Sequence, residues 1–168
     1  MNTKDRKGGE NIMAKKTFNE KLHHAGDLPK IEAVTDPLAV ERFGGVNMVI
    51  APPMDYDKIM KEIPKGKLIT SVEIRKAIAK KYNADYTCQL TAGIFINIVA
   101  NASKEREIEG DKDLVPYWRT LKKEGELNEK YPDGIDGQKI LLETEGHEVI
   151  KKGKRYFVKG YEKNLYKL

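Results

Sequence analysis

The sequence predicts a mostly α fold with small β elements: a winged helix-turn-helix domain carrying a short N-terminal extension. Three observations lead there. Thr70 and Glu73 have the spacing of a capping box, and Ile74, Ala77 and Ile78 follow at helical intervals. A short link, NADYTCQ, then leads to a second apolar segment rich in small residues, LTAGIFINIVANAS. Near the end, EVIKKGKRYFV alternates apolar positions on both sides of Lys152-Gly153, as a hairpin does. Two helices on a short link followed by a basic hairpin make the winged-helix pattern. Two simply packed helices account for the first half of that pattern equally well.

Along the chain, residues 1–16 read as a disordered tail and are excluded from the fold. Residues 17–54 form an extension that packs on the following domain. Its first part reads as short helical pieces broken by Gly26, Pro29, Pro37 and Gly44-Gly45, and NMVIA as a short strand. The main domain spans 55–158. DYDKIMKEIP gives a helix ended by Pro64. In the first helix of the pair, Arg75, Lys76, Lys80 and Lys81 take the exposed side. In the second, Ile94, Phe95, Ile98 and Val99 are assigned to the core, and Ala92, Gly93, Ile96, Asn97 and Ala100 to other faces. KEREIEGDKDL reads as a charged loop, and VPYWRTL as a short strand entering a turn at Lys123-Glu124-Gly125. YPDGIDG is turn-rich and hands over to a helix, QKILLETEG, closed by Gly146. Residues 159–168 form a C-terminal tail.

Composition narrows the function classes. Of 168 residues, 39% are apolar and 34% charged, which suits one well-solvated domain. No stretch approaches the roughly 20 apolar residues that span a bilayer, so no membrane partner is expected. A single cysteine, Cys88, and the lack of a secretory pattern predict a cytoplasmic location. The net charge of +5 is unevenly placed: residues 1–16 hold five basic and two acidic groups, and residues 139–168 eight basic and four acidic. The remainder is therefore slightly acidic, and the clearest local patch is KKGKR, Lys151 to Arg155.

Several chemistries lack their residues. His23-His24 are adjacent, His147 is distant and there is no second cysteine, so no metal is expected. No glycine-rich phosphate loop occurs, and no cofactor is expected. The neighbours of Cys88 supply no base, which favours a structural thiol. Glu143 and Glu145 diverge on a helix and make a poor acid/base pair.

Four segments in order carry a family resemblance: IPKGKLITSVEIRKAIA, TAGIFINIVANA, PYWRT and GIDGQKILLETEGHEVI. With them, residues from about 55 to 150 resemble the DNA-binding domain of the alkylguanine-DNA alkyltransferases and their alkyltransferase-like relatives. The resemblance implies binding to duplex DNA through the minor groove, with an alkylated guanine turned out into a pocket. It also implies a protein partner in a repair pathway. In active members a cysteine thiolate, helped by histidine and glutamate, takes up the alkyl group. Here Pro116, Arg119 and Glu145 match, whereas Tyr117 stands at the cysteine position and Trp118 at the histidine position. A phenol of pKa ~10 without a base is a poor nucleophile. No catalytic residue is expected, and Tyr117, Trp118 and Glu145 are degenerate positions. Ser71 falls at the family's pocket tyrosine and Asn101 at its hinge asparagine. No arginine stands near Thr91 or Ala92, where the family fills the gap left by the flipped base.

The resemblance thus assigns a base pocket of Tyr117, Trp118, Ser71, Asn101 and Pro116. The DNA-binding residues are expected to be Thr91, Ala92, Gly93, Asn97, Arg119, Lys151, Lys152, Lys154 and Arg155. Small residues at 91–93 would let the helix approach the groove, and the basic hairpin would meet phosphates. For PYWRT two readings stand. Either aromatic ring walls the base pocket, or Trp118 is buried with its indole N–H paired to Glu145. We expect a split, Trp118 inward and Tyr117 at the pocket. The reading as a non-catalytic binder of modified guanine competes with an enzyme using Glu145 as base, and with a winged-helix scaffold for another protein.

Overall fold

The computed structural model describes residues 15–168. The expected N-terminal tail lies outside the described residues, except for Lys15 and Lys16.

The chain enters through α1 (Phe18–His23), which Thr17 caps by accepting the Glu20 N–H at 3.0 Å. Strand β1 (Lys30–Ala33), helix α2 (Pro37–Phe43) and strand β2 (Asn47–Ile50) follow. The strand β1 departs from the helical pieces expected there. All four of its residues are exposed, so no alternation marks it, and antiparallel pairing with β2 alone defines it. Helix α3 (Pro53–Glu62) buries Tyr56 and Met60.

The short strand β3 (Ile69–Thr70) leads into α4 (Ser71–Lys81). Thr70 is its N-cap and accepts from Val72 N at 3.2 Å, while its hydroxyl donates to Glu73. Ile74 and Ile78 are fully buried, as helical spacing requires. The link then forms β4 (Tyr86–Thr87), which pairs in parallel with β2 to complete a sheet of order β1-β2-β4.

Helix α5 (Gln89–Ile108) runs well beyond the expected end, taking in part of the segment read as a charged loop. Its far end is held by the extension. The Glu105 carboxylate accepts the N–H groups of Phe18 and Asn19 at 3.0 Å each, and Arg106 donates to Asn19 Oδ1 at 2.7 Å. The buried stripe also differs from expectation. Ala92, Ile96, Val99 and Ala100 face the core, while Ile94 is 48% exposed. Both stripes obey helical periodicity. Docking of α1 and α3 against this helix selects between them.

A 3-10 turn at Tyr117–Arg119 replaces the expected start of a strand, which survives only as β5 (Thr120–Leu121), paired with β3. The Lys123–Gly125 turn forms, with Glu124 and Gly125 at positive φ. A side chain at Gly125 would meet the Tyr161 ring, so the turn also needs glycine for space. Helix α6 (Gly134–Thr144) starts within the segment read as a turn. Strands β6 (Val149–Lys152) and β7 (Arg155–Val158) form the expected antiparallel hairpin, with Gly153 at positive φ in its turn.

Residues near the C-terminus pair with Leu68, whose N–H donates to Asn164 O and whose carbonyl accepts from Tyr166 N. Trp118 packs against both apolar clusters, one built on α3, α4 and α5 and the other on Leu68, Leu121, Leu127, Leu142 and Val158. Among the described residues, no helix is long and apolar enough to cross a membrane.

Candidate nucleic-acid interface

The 3-10 turn brings Trp118 and Arg119 to one carboxylate and sends Tyr117 another way. Trp118 Nε1 donates to Glu145 Oε2 at 3.0 Å. Arg119 grips the same carboxylate through Nε at 3.0 Å and Nη2 at 2.7 Å, and its Nη1 donates to Ile63 O at 2.7 Å. Gly66 N completes the shell at 3.1 Å. Burial pushes the Glu145 carboxyl up, but the Arg119 hydrogen bonds, the Gly66 N–H and the indole together hold it below its ordinary value. A carboxylate so occupied is a weak base. Arg119, expected to meet DNA, spends its guanidinium inside the protein.

Tyr117 takes another direction. It is 4% exposed and meets Trp118 and Tyr131 edge-on, with centroids 5.4 Å away in each case. Burial, aided by the charges of Asp133 and Glu107, pushes its phenol up to about 12. Tyr117, Trp118 and Pro116 line one cavity of about 830 Å³, a size suited to a small organic ligand. Lys104 at its rim lies 3.5 Å from Glu107 and 3.9 Å from Asp133.

Two residues assigned to this pocket lie elsewhere. Ser71 begins α4 and lines a different cavity. Asn101 donates to Asn97 O at 2.8 Å and Lys130 O at 3.2 Å, fastening α5 to the segment before α6. The chain separates positions that the family resemblance groups together.

The second cavity, of about 750 Å³, runs along the N-terminal end of α5. Leu90, Gly93 and Ile94 line it from one helix face, and Leu90 is 74% exposed. A side chain at Gly93 would meet nothing within 4 Å. Asn97 also lines it, with its Oδ1 accepting from Asn128 Nδ2 at 2.8 Å. Ala92 is 1% exposed and serves the core, and Thr91 donates to Cys88 O at 3.3 Å. Ala92 therefore presents no group to a groove, and the Thr91 hydroxyl donates within its own helix turn.

Arg42, Arg75, Lys122, Lys123 and Lys130 line this cavity, against one acidic residue, Glu129. None of these cations was anticipated. Arg75 carried a faint signal, since it stands four residues after Ser71 and so shares its face of α4. Arg42 carried none.

On the hairpin, Lys151, Lys152 and Lys154 are exposed. Arg155 instead forks onto Glu126 at 2.9 and 2.6 Å, which anchors the hairpin to the chain. Cys88 is a free thiol at the N-cap of α5.

No family model matches the chain, and comparison with curated proteins gives no match. Solved structures similar to it include S. pombe Atl1 in complex with damaged DNA containing O6-carboxymethylguanine, at 20% identity and a TM-score of 0.47. They also include S. pombe ATL in complex with DNA, at 20% identity and a TM-score of 0.49. Each match covers 69% of this chain and 94% of the other.

Proposed function

We propose that the chain is a non-catalytic duplex-DNA-binding protein of alkyltransferase-like type that recognises alkylated or modified guanine. The observation that carries this reading is the N-terminal end of α5: an open face of Leu90, Gly93 and Ile94 beside five cationic side chains and a single acid. Such a surface lets a helix approach a groove closely while the cations meet phosphates. In this reading α4 and α5 act as the helix-turn-helix and the β6–β7 hairpin as the wing, with Lys151, Lys152 and Lys154 as phosphate contacts. The recognition domain is residues 55–158, with 17–54 as its extension and 159–168 as its C-terminal segment.

The cavity beside Tyr117 would receive a turned-out base, with Pro116, Tyr117 and Trp118 as its walls. Stacking on an aromatic ring is worth roughly 1–3 kcal/mol per base. Suicidal alkyl transfer is disfavoured because the Tyr117 phenol is pushed up to about 12. General-base catalysis by Glu145 is disfavoured by the donors that already fill its carboxylate. A sensor of this kind works in the cytoplasm with a protein partner in a repair pathway.

Titration of two otherwise identical duplexes, one holding O6-alkylguanine, at two salt concentrations tests this. Tighter binding to the modified duplex, weakening as salt rises, is expected. Equal binding to both would remove the lesion preference, and no salt-sensitive binding to either would remove the DNA reading altogether.

A further inference from the structure

The cavity beside Tyr117 has a charge pattern that a pocket meeting a polyanion does not need. Glu107 near the end of α5, and Asp133 and Asp136 at the start of α6, all line it. Its cations are already engaged. Lys61 lies 3.0 Å from Asp113, Arg119 is held by Glu145, and Lys104 stands between Glu107 at 3.5 Å and Asp133 at 3.9 Å. Asp136 has no ion pair among the described residues, and Asp133, although the N-cap of α6, makes no capping hydrogen bond. Carboxylates at such a mouth repel the phosphates of an approaching duplex, so they lower affinity unless the group that enters is positive.

The Tyr117 hydroxyl points the same way. Its side chain is 4% exposed and lines the cavity, yet the oxygen makes no hydrogen bond among the described residues. The orphaned hydroxyls of Tyr56 and Thr120 are sealed inside the protein, whereas that of Tyr117 is not, and its remaining surface opens on the cavity. Burial first, and then the charges of Asp133 and Glu107, push this phenol up to about 12. The carboxylates are thus felt at the wall itself, and Lys104 does not cancel them. The phenol stays protonated and is free to donate to a ligand. Trp118 lines the same cavity with its ring plane 83° from that of Tyr117, and aromatic faces attract cations.

We propose that this cavity selects a positively charged purine, alkylated on a ring nitrogen as in N7-alkylguanine, over a neutral one such as O6-alkylguanine. Alkylation on N7 leaves the ring with a delocalised positive charge and keeps its carbonyl oxygen as an acceptor for the Tyr117 hydroxyl. Alkylation on O6 leaves the ring neutral and turns that carbonyl into an ether. Tyr117 and Trp118 meet the ring, while Glu107, Asp133 and Asp136 set the sign of the charge it carries. The inference rests on the reading of this cavity as a base pocket and names the class of lesion it takes.

Trp118 is the one tryptophan of the chain, so its fluorescence reports on this cavity. The full chain and the double variant Glu107→Gln/Asp136→Asn, which changes two exposed side chains, are titrated with 7-methylguanosine and with guanosine. Low salt and mildly acid buffer keep the N7-methylated ring cationic. Duplexes holding a single N7-methylguanine, a single O6-methylguanine or neither are then compared. Quenching by 7-methylguanosine at about tenfold lower concentration than by guanosine, the scale of one desolvated cation–π contact, supports the proposal. In the double variant that preference should shrink several-fold with guanosine unchanged; a merely structural effect would weaken both. Equal quenching by the two nucleosides, or a preference untouched in the double variant, overturns it. Tighter binding of the O6-methylguanine duplex than of the N7-methylguanine duplex overturns it too, yet leaves the base pocket standing. A carboxylate-dependent preference for 7-methylguanosine in a protein that binds no duplex would keep the cation site and discard the DNA reading.

Discussion

Arg119 Nη2 lies 2.7 Å from Glu145 Oε2, with both side chains largely withdrawn from water. The pair ties the Tyr117–Arg119 turn to the end of α6, and through Ile63 O and Gly66 N to the loop between α3 and β3. Trp118 joins by its indole N–H. Residues that the family resemblance places near chemistry form here a structural joint.

Removing one partner of that joint strands the other. Glu145→Ala is expected to cost about 3–5 kcal/mol, the range for breaking a buried pair. Arg119→Ala should cost a similar amount, and the double variant clearly less than the sum of the two. Urea unfolding of the three variants measures this. Additive losses would mean that the two residues act independently.

Stability should fall in acid. Glu145 and Glu105 are each pushed up by burial but held below the ordinary value of 4.5 by their hydrogen-bond donors, and Glu126 by its hydrogen bonds from Arg155. A depressed carboxyl binds fewer protons in the folded state than in the unfolded one, so stability rises with pH. The contribution is complete above the unfolded value and is lost as pH falls through the lowered folded values. Unfolding midpoints between pH 6 and about 3 follow the loss, and Glu145→Gln should flatten part of the slope.

Tyr117 should affect lesion preference more than plain binding. Tyr117→Ala is expected to lower affinity for an alkylated duplex by roughly 1–3 kcal/mol while leaving the unmodified duplex nearly unchanged. Intact-mass measurement of the wild type after incubation with O6-alkylguanine DNA should show no added alkyl group.

Gly93 separates stability from recognition. It lies within α5 with open space where a side chain would stand, so Gly93→Ala should stabilise the helix by about 0.5–1 kcal/mol. The added methyl stands on the face proposed to approach the groove, where duplex affinity should drop. A variant that is more stable and binds DNA unchanged would move the contact away from this face.

The legible parts of the chain were those with local causes. The Thr70 cap, the glycine turn of the hairpin and the prolines around α3 act within a few residues of themselves, and the elements they bound formed as expected. The Trp118–Glu145 contact was also foreseen, since a buried indole N–H needs an acceptor and the resemblance placed the two side by side. The site was less legible. Ser71 and Asn101 were placed by alignment to a family pattern, and here they occupy other surroundings. Arg42 and Arg75 are ordinary surface cations by sequence, and only folding sets them at the head of α5.

By itself, then, the sequence determined where α4 begins and where the β6–β7 hairpin turns, because a cap and a positive-φ glycine need only their neighbours. Tertiary structure decided which stripe of α5 is buried, that Lys30–Ala33 is a strand, and that Arg119 serves Glu145 rather than a ligand. Each of those depends on a partner far away in the chain: α1 and α3 against α5, β2 against β1, and residue 145 against 119. Periodicity cannot identify such a partner, since helical spacing allows more than one face and pairing supplies the missing choice.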